Sequence, residues 1–120
     1  MNKNAEGWVS ELESGNWKQA TEFLRSENGY CCLGVACEMY RKEHSENCYW
    51  SENENGSFTF YVGGVFAERE LPEQVRDWLG LSDDVGTYGE NSLAKRNDRG
   101  NSFQEIAEII RSEPKGLFKE

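Results

Sequence analysis

Tyr30-Cys31-Cys32-Leu33-Gly34-Val35-Ala36-Cys37-Glu38-Met39-Tyr40 is the most apolar stretch of this 120-residue chain, and it sets the kind of core the protein can build. At helical spacing Cys32, Val35, Ala36 and Met39 share one face, while Leu33, Cys37 and Tyr40 share the next. A helix that is apolar nearly all round belongs inside a core, with the other elements wrapped about it. Before it, Ala5, Trp8, Val9 and Leu12 form a single stripe, which predicts a helix from about Asn4 to Ser14 that stops at Gly15. Residues 16–25 fit neither period and read as extended, and Ser26-Glu27-Asn28-Gly29 is a turn.

Beyond the central helix, Glu43, Glu46, Glu52 and Glu54 alternate with Asn47, Asn53 and Asn55, so residues 43–57 are expected to form a mobile acidic loop. Within it, Cys48-Tyr49-Trp50 is expected to dock back on the body. Phe58 to Val62 has strand composition, and Gly63-Gly64 reads as a turn into Val65-Phe66. Leu71-Pro72 opens a helix with Pro72 at its first position, a face of Val75, Trp78 and Leu79, and a stop at Gly80. Residues 82–90 read as a polar, turn-rich loop. Ser102-Phe103-Gln104-Glu105 is a capping box ahead of Ile106, Ala107 and Ile110, and the residues after Pro114 read as a frayed tail. The expected class is α+β: one domain over residues 1–113, with about four helices, a short antiparallel strand pair and a tail over 114–120.

Composition narrows the function. The chain is polar, with a mean hydropathy of -0.82. Yet 4 Trp, 5 Tyr and 6 Phe give it the buried area that disordered chains lack. Acidic residues outnumber basic ones 22 to 13, for a net charge of -9, which excludes a general binder of duplex nucleic acid. No apolar run is long enough to span a membrane, and no secretory signal follows Met1. A cytoplasmic protein with reduced cysteines is therefore expected.

Two features stand out as possible sites. Lys95, Arg96 and Arg99 surround Asn97 and Asp98 just ahead of the capping box, a local excess of positive charge in an acidic chain. Guanidinium groups beside free amides at a helix start, with Asn97 and Ser102 at hand, make a phosphate site. The plainer reading is a solvated turn in which Asp98 and Ser102 merely cap. Tyr30, Tyr49, Trp50, Tyr61 and Tyr88 lie outside the core stripes. Each is a candidate for stacking on a base, foremost Tyr30, Trp50 and Tyr88, with Arg25 as a second phosphate contact. The plainer reading there is aromatics that pin loops to the body.

Cysteine chemistry fits less well. His44 is the only histidine, and a thiol in a buried helix usually acts as a small hydrophobe. No Cys-x-x-Cys pair exists, and Cys32 and Cys37 point to different helix faces, so neither a metal nor a cofactor is expected.

Two segments carry a family resemblance. Tyr30-Cys31-Cys32-Leu33-Gly34-Val35 is followed by Leu71-Pro72 and Trp78-Leu79-Gly80-Leu81. The second segment is Leu93-Ala94-Lys95-Arg96-Asn97-Asp98-Arg99-Gly100-Asn101-Ser102-Phe103-Gln104-Glu105-Ile106-Ala107. From about Trp8 to Ile110 the chain resembles a family of small proteins carried by phages and prophages, and Arg96 stands where that pattern usually has an aliphatic residue. The family is similar to the phage nucleotide sponges that counter immune systems such as CBASS. That resemblance implies a non-enzymatic protein of an infected bacterial cell that sequesters a cyclic nucleotide, most simply a cyclic dinucleotide such as cyclic GMP-AMP. Because so small a domain encloses little volume, a pocket between two copies of the chain is expected. The alternative is an acidic inhibitor of a host defence protein, imitating nucleic acid as some anti-CRISPR proteins do; a small hydrolase of the same signals is a third reading.

Overall fold

The central helix, α2 (Cys32–Glu43), buries Cys32, Leu33, Gly34, Val35, Ala36 and Cys37, as its all-round apolar composition requires. A computed structural model describes residues 1–120. Helices α1 (Lys3–Glu13), α3 (Glu73–Leu79) and α4 (Leu93–Asp98) pack on α2, and α5 (Phe103–Arg111) lies along α1. Asn2 caps α1 by accepting from the Ala5 amide at 2.8 Å. Trp8 is fully buried, and its indole N–H donates to the Cys32 carbonyl at 2.9 Å, so this large ring leaves no polar atom unpaired. The chain is a single α+β domain.

The strands are short and antiparallel. β1 (Arg25–Ser26) pairs with β2 (Gly29–Tyr30) around the expected turn, which sets Arg25 opposite Tyr30. β3 (Cys48–Glu52), β4 (Phe58–Val62) and β5 (Val65–Ala67) form a three-stranded sheet in that order. β6 (Thr87–Tyr88) and β7 (Asn91–Ser92) make a last two-stranded ribbon.

Four expectations need correction. Residues 43–57 are not one loop, because Cys48–Glu52 is an edge strand paired with β4 along its whole length. Its inward residues explain this: Cys48 is buried and Trp50 lies 4.7 Å from Phe60. Glu43 and Glu46 precede the strand, Glu52 is its last residue and Glu54 follows it. Residues 93–98 are not a turn but a fifth helix, started by the Ser92 hydroxyl accepting from the Lys95 amide at 3.1 Å. Pro72 sits at the N-cap of α3, one residue before the first helical position. The segment after Pro114 is not frayed: Leu117 is fully buried, the Ser82 amide donates to its carbonyl at 2.9 Å, and the Lys119 amide donates to the Gly80 carbonyl at 2.9 Å.

Gly34 fixes the closest approach in the core. A Cβ on it would collide with the Leu24 carbonyl oxygen, so the chain before β1 lies directly against the bare backbone of α2. Gly7, in the middle of α1, differs: a Cβ there meets only the end of Met39 at 3.7 Å. The same substitution should therefore have opposite signs at the two sites. Gly34→Ala should lower unfolding stability by about 3 kcal/mol or more. Gly7→Ala should raise it by about 0.5–1 kcal/mol. Urea titrations of both variants measure this, and equal midpoints would refute the close approach.

Candidate functional site

The basic segment serves the fold before it serves any ligand. Asn97 is fully buried, and both ends of its amide are used. Its Oδ1 accepts from the Cys32 amide at 3.1 Å and from Gln19 Nε2 at 2.8 Å, while its Nδ2 donates to the Ala20 carbonyl at 2.9 Å. Cys32 is the first residue of α2, whose N-cap Cys31 offers no side-chain bond, so Asn97 supplies the cap from another helix.

Ser102 is equally committed. Its hydroxyl accepts from the Glu105 amide at 3.1 Å, and Glu105 accepts from the Ser102 amide at 2.8 Å. Gln19 Oε1 takes the Phe103 amide at 3.1 Å. Three of the amides an anion would use at the start of α5, those of Ser102, Phe103 and Glu105, are thus filled by the protein's own side chains. Of the two residues expected to face a ligand, Asn97 is buried in the core, and half-buried Ser102 has its hydroxyl taken up by the cap. Asp98, read as a cap, caps no helix: it accepts from the Glu22 amide at 2.9 Å and so ties the end of α4 to the segment before β1.

The remaining candidates fall into two groups. Arg96 Nε donates to the Tyr88 hydroxyl at 3.2 Å, which brings those two together, while Lys95 and Arg99 are exposed on the same stretch. None of these four lines the other group's cleft. In that cleft, Arg25, Tyr30 and Trp50 meet. The Arg25 guanidinium carbon lies 4.1 Å from the centre of the Phe58 ring, 5.4 Å from Tyr30 and 5.5 Å from Trp50. Arg25 takes part in none of the protein's ion pairs.

The cleft has a volume of about 340 Å³ and also includes Glu38, Arg41 and Tyr49. Tyr30 and Glu38 are shared with an adjoining hollow of about 380 Å³ that adds Trp17 and Lys42. The result is a groove floored by Trp17, Tyr30 and Trp50 in edge-to-face order, with ring centres 5.1 Å and 6.1 Å apart. Lys42 lies 5.6 Å from the centre of the Trp17 ring. Each hollow is of the size that small ligands occupy.

Electrostatics along the groove are uneven. Glu38 accepts two bonds from Arg41 at 2.7 Å each and one from Trp50 Nε1 at 2.9 Å. Burial works to raise the Glu38 pKa, but the bonds from Arg41 and Trp50 outweigh it and hold the carboxyl below its ordinary value. Glu38 therefore neutralises Arg41 and leaves Arg25 without a counter-charge. Tyr30 shifts upward, chiefly through burial, with Arg25 pulling the other way.

The largest cavity, about 570 Å³, lies elsewhere, between the β5 end and α3. Its cations are occupied: Arg69 faces Glu22 at 3.9 Å and Arg76 holds Asp77 at 2.9 Å. Glu70 there is raised by its hydrogen bond to Asp84 and by repulsion from that carboxylate. Such a wall repels an anion, so the Arg25 groove is the better candidate.

Trp17, Arg41 and Lys42 are groove residues that sequence reasoning missed. The Glu38–Arg41 spacing of three on a helix was the one local signal available. The cysteines are all free and buried, and burial pushes the Cys31 thiol up to about 11. His44 stacks on Tyr40 at 3.9 Å and contacts its carbonyl oxygen at 2.9 Å.

Fold and groove together define a small α+β domain whose one unpaired, aromatic-lined guanidinium opens on a surface cleft. The chain belongs to the family described as Domain of unknown function (DUF8296), whose model matches residues 1–114. No curated protein and no solved structure matches it. No helix is long and apolar enough to cross a membrane.

Asn97→Ala strips three hydrogen bonds from a buried network and should cost about 2–4 kcal/mol. Arg99→Ala, at an exposed position, should stay within about 0.5 kcal/mol of the parent protein. Chemical denaturation compares them, and a mild Asn97→Ala would remove the capping role. For Cys31, Cys32 and Cys37, in a Cys48→Ser background because Cys48 lines the cleft, a thiol reagent such as DTNB at pH 8 should label the folded protein only as fast as it unfolds. Rapid labelling of the native state would contradict their burial.

Proposed function

We propose that this protein is a non-catalytic binder of a phosphate-bearing nucleotide, acting by sequestration. The observation that carries the reading is Arg25, a half-buried guanidinium set against three aromatic rings with no carboxylate partner, open to a ligand-sized cleft. A guanidinium loses water cheaply against ring faces and keeps its fork of donors for a phosphate. Aromatic side chains at the same cleft supply the flat surface a base requires.

Sequestration needs tight burial and no turnover. The thiols are buried and the lone histidine is stacked on Tyr40, which supports binding over nucleophilic chemistry. The family resemblance adds the setting: a phage protein in the cytoplasm of an infected bacterium, with a cyclic dinucleotide immune signal such as cyclic GMP-AMP as ligand. A second copy of the chain closing over the open groove completes the enclosure.

The second reading is an acidic inhibitor of a host defence protein. One observation favours it: Tyr49 and Phe66 are 59% and 67% exposed on one sheet of a chain with net charge -9. Such a surface suits a protein partner.

A thermal-shift and calorimetric screen against 3′,3′-cyclic GMP-AMP, cyclic di-AMP, AMP and inorganic phosphate separates the two. At 100 times its dissociation constant, a ligand should stabilise the fold by about 2.7 kcal/mol, several degrees in Tm. Arg25→Ala should weaken the selected nucleotide about tenfold or more, the loss of one charge-assisted contact. Lys95→Ala and Arg99→Ala should leave binding unchanged, and denaturation should return the ligand intact. A flat screen, or full binding by Arg25→Ala, would overturn the assignment and turn the search to host proteins.

A further inference from the structure

The Arg25 cleft is bordered at the edge of the sheet by Tyr49. β3 is an outer strand, with β4 on one side and no strand on the other. One face of the Tyr49 ring lies on Tyr61, with centres 4.9 Å apart and planes within 11°. Tyr61 in turn leans on Phe66 at 6.2 Å. Strand register produces this row, because Tyr49 pairs with Tyr61 and Tyr61 pairs with Phe66. At the open end of the row, Tyr49 is 59% exposed.

Tyr30 and Trp50, expected to take a base, are arranged for something else. Tyr30 meets Trp17 and Trp50 edge to face, at 85° and 73°. Trp50 is held by its N–H on Glu38 and lies against Phe60. Both rings hold Arg25 in place, so their π surface is already in use. Tyr49 alone in this cleft combines high exposure with a parallel ring behind it.

We infer that Tyr49, at the rim of the cleft and on the face of β3 opposite Trp50, is the base-stacking residue. The base extends the Phe66–Tyr61–Tyr49 row while its phosphate reaches past the open edge of β3 to Arg25. This rests on the nucleotide reading above and makes it specific. The ligand must carry an anion and a flat aromatic ring within the span of one cleft, so a sugar phosphate without a base lacks half of the recognition. With stacking as the main contact to the base, a purine is held more tightly than a pyrimidine because it covers more of the ring.

Isothermal titration of the parent protein, Tyr49→Ala and Tyr49→Phe with 3′,3′-cyclic GMP-AMP, AMP, CMP and ribose 5-phosphate tests this. Tyr49→Ala should weaken the purine nucleotides by about 5- to 100-fold, the worth of one stacked base. Tyr49→Phe should stay within about twofold, since the ring and not the hydroxyl makes the stack. Ribose 5-phosphate should bind weakly and equally to all three proteins. An exposed side chain is being changed, so matching melting temperatures verify that each variant is folded. If the parent binds and Tyr49→Ala binds as well, the stacking assignment falls and the nucleotide reading stands. If Tyr49→Phe loses as much as Tyr49→Ala, a hydroxyl contact replaces the stack. If the parent binds none of the nucleotides, both readings fall together.

Discussion

The amide of Asn97 is the contact on which the arrangement of the other elements depends. With Gln19 it joins the extended segment before β1, the first turn of α2, α4 and the start of α5. A primary amide suits the position because it offers an acceptor with two lone pairs and a donor in one plane. A carboxylate could not donate to Ala20, and an aliphatic side chain would leave the Cys32 amide and the Ala20 carbonyl unpaired in a dry interior. Buried networks of this kind stabilise when complete and cost heavily when one member is missing. The two sequence segments that carry the family resemblance, the Cys31-Cys32-Leu33-Gly34 stretch and the Asn97-to-Glu105 stretch, meet at this amide. Their pattern is thus accounted for largely by folding, which separates what the resemblance says about architecture from what the groove says about ligands.

Much of this architecture was legible because it rests on local periodicity. α1, α2 and α5 each place apolar residues at helical spacing, and the capping box at Ser102 is read directly from four residues. α4 was not, because only Leu93 and Asn97 of its six residues are buried, and Asn97 looks polar until its partners are known. β3 was hidden by the acidic residues around it, although Cys48 and Trp50 alternate with Tyr49 and Ser51 as an edge strand should. The docked segment after Pro114 rests on Leu117 and Phe118, too few residues to show a period. The site follows the same division. Arg25 and Tyr30 were brought together by a four-residue turn visible in the sequence. Trp17, Arg41 and Lys42 join them only through long-range packing, and the apparent anion site at α5 vanished once Gln19 and Glu105 took its amides.

Charge is distributed so that an acidic protein can still hold an anion. The net charge of -9 repels extended polyanions, whose many phosphates sense the whole surface. A small ligand inside the cleft senses mainly its immediate neighbours, because exposed charges beyond about 8 Å are screened at physiological salt. Glu38 spends its charge on Arg41 and Trp50, leaving Arg25 as the local source of positive potential. Acidity and nucleotide binding are therefore compatible in one small domain.

The contact between Gly34 and Leu24 has a kinetic consequence. Leu24 immediately precedes Arg25, its carbonyl accepts from the Cys31 amide at 3.2 Å, and its amide donates to Glu68 at 2.7 Å. With no side chain between the two backbones, Arg25 rides on the same rigid frame as Glu38 and Arg41. On the proposed reading, a cleft assembled in advance within one chain spends little entropy on ordering its own side chains when a ligand arrives. For a nucleotide bound as proposed, differences in affinity between ligands would then reside mainly in how fast each one leaves.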